Sequence, residues 1–223
     1  MSDTHQETVV CPHCGHRIST QVTTVIRHDD VKALDALYKG TLNRVHCAKC
    51  GHDFLVDTTL IYRDDENPFI VYYVDIPEDA DLHTYEREID VMATEAAMKE
   101  NLDRPTVRLT VSLPDFIEKI SLRRLGLDDR LIEYAKHQLF SNLGEERLSS
   151  SAHRLLVDFS NKDADKLAFI VYDRETNRPI SSLHVPMEEF NNLVKEFSVN
   201  DQLMNELDTL FPSCYVSVDR LFG

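Results

Sequence analysis

Hydrophobic positions along the chain switch repeatedly between alternation and helical spacing. Residues 1–8 are almost wholly polar and predict a short mobile tail. Glu7-Thr-Val-Val10 and Arg17–Thr24 are strand-like and flank a tight turn; Asn43–His46 and Asp53–Asp57 flank a second one in the same way. Between the turns, Val31, Leu34, Leu37 and Tyr38 fall on one helical face that Gly40 ends. Phe69–Val74 is an unbroken β-branched and aromatic run bounded by Pro68 and Pro77, which predicts a buried strand. Pro77-Glu-Asp-Ala-Asp81 is an acidic turn. From Leu82 to Leu102 the apolar residues Leu82, Tyr85, Ile89, Met92 and Ala96 recur at three- and four-residue steps, predicting a helix that Asp103-Arg-Pro105 stops.

Val107, Leu109 and Val111 then alternate as in a half-buried strand. Two helices are predicted over residues 114–125 and 128–141, with Gly126 as a left-handed cap and Asp128-Asp129 placing negative charge at the second helix start. Arg154–Phe159, Leu167–Tyr172 and Ile180–Val185 are strand-like and separated by short polar turns, the pattern of an antiparallel meander. Pro186 opens a helix whose apolar face is Met187, Phe190, Leu193, Val194 and Phe197. A last helix near 200–210 precedes a possible final strand, Cys214–Val218. The class this predicts is α+β. Residues 1–76 form a ribbon with a helical insert; residues 77–223 form a body of mixed helices and an antiparallel sheet packed on it.

Charge narrows the function classes. The formal net charge is −15. Residues 1–76 hold seven basic and eleven acidic side chains, and residues 77–223 hold seventeen and twenty-eight, so neither part hides a basic domain. Long-range electrostatics therefore oppose nucleic acid and anionic membrane alike; Lys119, Arg123 and Arg124 make at most a local basic patch. No apolar stretch is long enough to span a bilayer, and the first residues lack the pattern of a signal peptide, so a cytoplasmic location is expected.

Four of the five cysteines form two pairs, Cys11-Pro-His-Cys-Gly-His16 and Cys47-Ala-Lys-Cys-Gly-His52. In a reducing compartment such pairs point to metal or redox chemistry rather than structural disulfides. A Cys-x-x-Cys-Gly turn brings two sulfurs together, and the glycine allows a positive φ. Two such knuckles, each at a hairpin tip, clasp one ion between them. Zn²⁺ held by Cys11, Cys14, Cys47 and Cys50 is the expected occupant, and a four-thiolate site has no vacant position for substrate, which makes it structural. Paired knuckles also hold iron in rubredoxin-type sites, but the aromatics expected around such a site are sparse. A thioredoxin-like redox pair would sit at a helix start after a strand, which the duplicated, glycine-followed form does not suggest. His13, His16, His46 and His52 crowd the knuckles and are expected beside the ligands rather than among them. Cys214 reads as a buried core cysteine.

The first knuckle, the helical insert, the second Cys-x-x-Cys-Gly and the run Leu60-Ile-Tyr-Arg-Asp-Asp-Glu-Asn-Pro-Phe-Ile-Val71 resemble bacterial CpXC-domain proteins. Residues 118–133 are similar to them as well, so the likeness covers residues 8–140. The second knuckle departs from the pattern in lacking the proline of the first, which leaves ligation intact. The resemblance implies zinc binding and no assigned activity.

Other candidate chemistry is thin. Glu133 and His137 stand four apart on a helix, as many surface pairs do. Asp64-Asp65-Glu66 reads as a charged loop, and Ser149–His153 lacks a nucleophile-elbow context. No catalytic residues are assigned, and the balance leans away from an enzyme. The function expected is a protein-interaction or assembly module, by a protein partner or self-association. A nucleic-acid-associated zinc ribbon is the alternative, resting on fold analogy against the acidic charge.

Overall fold

In the computed structural model of the protein, residues 2–77, 80–100 and 103–222 are described. Of the expected elements, Glu78 and Asp79 of the acidic turn and Leu102 at the foreseen helix end lie outside the described residues. The chain divides into two compact units, 1–117 and 118–223.

The first unit is built on a mixed five-stranded sheet of order β1-β2-β5-β6-β7. Strands β1 (Asp3–Val10) and β2 (Arg17–Arg27) form an antiparallel hairpin, with Val10 opposite Arg17 at its tip. The expected mobile tail is therefore a strand from Asp3 onward. The local sequence is polar because the strand is exposed, whereas its pairing is a property of β2. The chain then leaves the sheet through helix α1 (Val31–Tyr38) and a short hairpin of β3 (Arg44–His46) and β4 (Asp53–Leu55). It returns as β5 (Leu60–Asp64), parallel to β2 through Val25–Arg27. Strand β6 (Phe69–Tyr73) pairs antiparallel to β5. Helix α2 (Leu82–Glu100) then carries the chain across to β7 (Thr106–Thr110), parallel to β6. Both parallel pairings require a long crossover, and the second knuckle rides on one of them.

Local chemistry explains the element ends. The Asp30 carboxylate accepts the N–H of Ala33 at the start of α1. That bond, with another from the Ser2 N–H, holds Asp30 at about 2. The helix buries Leu34 and Leu37 but leaves Val31 and Tyr38 exposed, so its contact face is narrower than the sequence spacing predicts. In α2 the buried stripe runs through Glu86, Ile89, Ala93 and Ala97, and Met92 is exposed. Strand β6 is buried from Phe69 to Tyr72, as expected, while Val111 lies beyond β7 and exposed.

Helix α3 (Leu113–Arg124) spans the division between the units, and Gly126 follows it at φ +71°, the left-handed cap foreseen. In the second unit, Asp128 caps helix α4 (Asp129–Leu143) through the Arg130 N–H. Strands β8 (His153–Val157), β9 (Lys166–Asp173) and β10 (Arg178–Pro186) form the expected antiparallel meander, in order β10-β9-β8. Helices α5 (Met187–Val199) and α6 (Asp201–Leu210) follow, with Pro186 just outside α5. Phe140, Leu155, Phe169, Phe190, Phe197 and Leu207 anchor one continuous core. Fully burying side chains of this size contributes about 1.5–3 kcal/mol each.

Under that core sits an ionic cluster that the sequence does not announce. Lys136 Nζ lies 2.6 Å from Glu118 Oε2 and 3.1 Å from Glu133 Oε1. Lys119 Nζ lies 2.9 Å from Glu133 Oε1 and 3.1 Å from Asp129 Oδ2. All five residues are buried. The remaining carboxylate oxygens accept backbone N–H groups, Glu118 from Val157 at 2.6 Å and Glu133 from Val218 at 2.9 Å. Lys119 is therefore an interior cation and not part of a surface basic patch. The second of those backbone bonds also decides the chain end. Val218 donates to a carboxylate instead of a neighbouring strand, and Ser217 caps a short 3-10 helix, Val218–Leu221, where a final strand was expected.

Candidate metal centre

Each cysteine pair occupies the tip of a hairpin. In the first knuckle the Cys11 N–H donates to the His16 carbonyl and the Gly15 N–H to the Cys11 carbonyl, both at 2.9 Å. The second repeats the pattern: Cys47 N–H to His52 carbonyl at 2.9 Å, Gly51 N–H to Cys47 carbonyl at 2.8 Å. Gly15 and Gly51 have φ of +68° and +74° with open space where a Cβ would stand. Replacing Gly51 with alanine is expected to cost about 1–2 kcal/mol from backbone strain alone. The readout is a lower melting temperature of the first unit, with no new steric contact.

The two turns face each other. Cys11 Sγ lies 3.7 Å from Cys50 Sγ, and Cys14 Sγ 3.7 Å from Cys47 Sγ. All four sulfurs lie within 4.8 Å of one another. A tetrahedral ion with bonds of about 2.3 Å places its ligands about 3.8 Å apart. The donor set and its spacing thus fit one tetrahedral, thiophilic cation, with Cys11 and Cys47 buried and Cys50 exposed.

Electrostatics explain why such a cluster wants a cation. Burial works against ionising the Cys47 thiol, but the backbone N–H groups of Cys50 and Lys49 point at its sulfur and hold it down to about 7. The Cys50 sulfur accepts from the His52 N–H, yet desolvation and the three neighbouring sulfurs push it up to about 12. Four sulfurs this close do not all ionise without a positive charge between them.

The flanking histidines stand around the cluster and not in it. His46 Nδ1 lies 2.6 Å from Asp53 Oδ1 across the β3–β4 pair. The rings of His13 and His52 stack across the two knuckles at 5.5 Å, and His52 lies 6.3 Å from Phe54. Asn43, at φ +57°, is a further positioning residue that sequence reasoning missed. Its side-chain amide accepts the Thr23 N–H and donates to the Thr23 carbonyl, both at 2.8 Å, tying the second hairpin to β2. An Asn four residues before a cysteine knuckle is the only signal for it.

The other sequence candidates are not brought together as sites. Glu133 is committed to Lys119, Lys136 and the Val218 N–H, while the His137 ring packs against Phe222 at 5.2 Å. Asp64 caps its own turn through the N–H groups of Glu66 and Asn67, and Asp65 pairs with Arg27 and Arg63. The Ser149 N–H donates to His153 Nδ1. Cys214 is buried. One cleft of about 330 Å³ in the second unit and one of about 300 Å³ in the first are lined by no Cys, His or Lys. Among the described residues no helix is long and apolar enough to cross a membrane.

No curated protein and no solved structure matches this chain. The profile of the family described as CpXC protein matches residues 9–136, more than half the chain and both knuckles, so the chain belongs to the CpXC family.

Proposed function

We propose that Cys11, Cys14, Cys47 and Cys50 hold one Zn²⁺ as a structural staple, and that the protein is a cytoplasmic interaction or assembly module. The observation that supports this reading is the four-sulfur cluster, with two sulfur pairs at 3.7 Å and all four sulfurs within 4.8 Å of one another, a donor set that fills the four positions of a tetrahedral ion and leaves none for water or substrate. Zinc is favoured over other divalent ions because sulfur-only tetrahedral sites suit it without any preference from d-electrons. The ion neutralises part of the thiolate charge and locks two hairpins that share few other contacts. The two knuckles then become a rigid part of the first unit.

A second reading, association with nucleic acid, draws on the exposed His13–His52 stack and on Arg17, Arg44 and Lys49 around the knuckles. The net charge of −15 works against it. Elemental analysis of the purified full chain is expected to find one zinc per chain. Light scattering and retention of a protein partner from native extract test the module. Fluorescence titration with single-stranded oligonucleotide at low salt is expected to show no binding, and saturable, salt-sensitive binding would favour the second reading instead.

A further inference from the structure

Strand β1 carries an edge unlike the others in this chain. It is the outer strand of the five-stranded sheet, eight residues long, and exposed everywhere except Val9. Every other residue on such an edge offers unpaired backbone N–H and C=O groups, a template for a further strand. The other edges are shorter or blunted: β7 and β8 have five residues each, and β3 and β4 three. Strand β10 carries Pro179, Pro186 and a register irregularity between Pro179 and Ser181. The last residue of β8 gives its N–H to the buried Glu118. The open side of β2 is met at Thr23 by the Asn43 amide. Strand β1 holds no lysine and no proline, and its only irregularity is at its start, between Asp3 and Thr4.

The sequence of this edge is also complementary to itself. When two β1 strands run antiparallel with Gln6 opposite Gln6, Thr4 faces Thr8 and His5 faces Glu7, each pair occurring twice. Threonine hydroxyl pairs are a favourable cross-strand combination, and the His5 imidazole and Glu7 carboxylate can share a hydrogen bond. His5 Nε2 already lies 3.3 Å from Glu7 Oε2 within one strand, so the two side chains share a face and can exchange partners. We propose that β1 is a self-association edge: a second copy of this chain adds its own β1 antiparallel, about a two-fold axis at Gln6, to make one continuous sheet. This rests on the interaction-module reading and names a second copy as the partner. A single strand edge covers less surface than a permanent dimer needs, so the dimer is reversible. Two chains of charge −15 repel each other, and salt screens that repulsion over about 10 Å. Association therefore strengthens as salt rises.

Sedimentation of the full-length, metal-loaded chain across concentration and salt tests this. A monomer–dimer equilibrium that tightens with added salt is expected. H5E sets Glu against Glu7 twice per dimer and is expected to weaken association about ten-fold, while H5E/E7K restores it. His5 and Glu7 are exposed, so circular dichroism and zinc content should be unchanged. Under mild oxidation Q6C is expected to give a 6–6 disulfide by peptide mapping, and S19C on the neighbouring strand is not. A chain that stays monomeric at every concentration and salt overturns the proposal, as does a dimer that H5E leaves unmoved. A monomer that still retains a different protein overturns the β1 pairing alone and leaves the interaction module standing.

Discussion

Replacing Cys14 with serine is expected to abolish metal binding and unfold the two knuckles, while the second unit keeps its fold. The magnitudes make this the largest effect in the molecule. Zinc binding contributes about 10–16 kcal/mol to the folding of isolated zinc-finger peptides, whereas whole domains are stable by only about 5–15 kcal/mol. Hairpin β3–β4 has three residues per strand and buries Val45 and Cys47, too little apolar surface to hold together alone. In contrast, every residue of the main core cluster lies between Leu122 and Val218. Hydrogen exchange is the decisive measurement. The amides of Cys11, Gly15, Cys47 and Gly51, each donating within its knuckle, should lose protection. Amides in α4 and β9 should keep theirs. A wild type that carries no metal, with a serine variant of equal stability, would contradict the structural role.

Lys136→Met is expected to cost about 3–5 kcal/mol in the second unit, because it strands buried carboxylates without their cation. Lys136 is 2 % exposed and bridges Glu118 and Glu133, so no water can replace it without opening the core. For a unit of this size such a loss lowers the melting temperature by more than about 10 °C. The pH dependence follows from the same contacts. Burial alone would raise Glu133, but Lys119 and Lys136 outweigh it and hold the carboxyl below its ordinary range. Its contribution is complete above the ordinary glutamate value and is lost as pH falls through the lowered one. Burial leaves Glu118 above its ordinary range despite Lys136, so it acts in the opposite sense and softens the acid loss. Burial would depress Lys119, but Glu133 and Asp129 hold it above the usual lysine value. That contribution is present at neutral pH and disappears as pH rises through the raised value. Thermal melts from acid to alkaline pH should show both flanks in the wild type. In K136M the deficit should shrink in acid, where Glu118 takes up a proton.

Much of the fold could be read along the chain, and the corrections share one cause. The meander β8–β10 was legible because alternating apolar residues and polar turns are local features. So was the capping of α4 by Asp128, which a single side chain performs. The residues that misled were those whose role depends on a distant partner. Residues 3–8 look like a tail because nothing in them is apolar, yet β2 supplies their pairing. Cys214–Val218 looks like a strand because it is β-branched, but the acceptor for Val218 is Glu133, 85 residues away. Met92 carries the helical spacing of a core residue and is exposed because α2 turns the Ile89–Ala93–Ala97 stripe inward.

The sequence by itself singled out the four cysteines of the candidate metal centre: two Cys-x-x-Cys-Gly turns are short-range geometry, fixed by the glycine φ and the spacing of two sulfurs. That the two turns meet was an expectation from their duplication; only the tertiary structure decided how, with Cys11 beside Cys50 and Cys14 beside Cys47. The chain between the knuckles leaves the sheet after β2 and returns as β5, and Asn43 fastens the second hairpin to Thr23. The same holds for the five buried charges. Lysine and glutamate at helical spacing read as a solvated face, and the packing of α3 and α4 around them is what turns them inward. Local propensity is written in neighbouring residues, whereas burial depends on which surfaces the whole chain brings together.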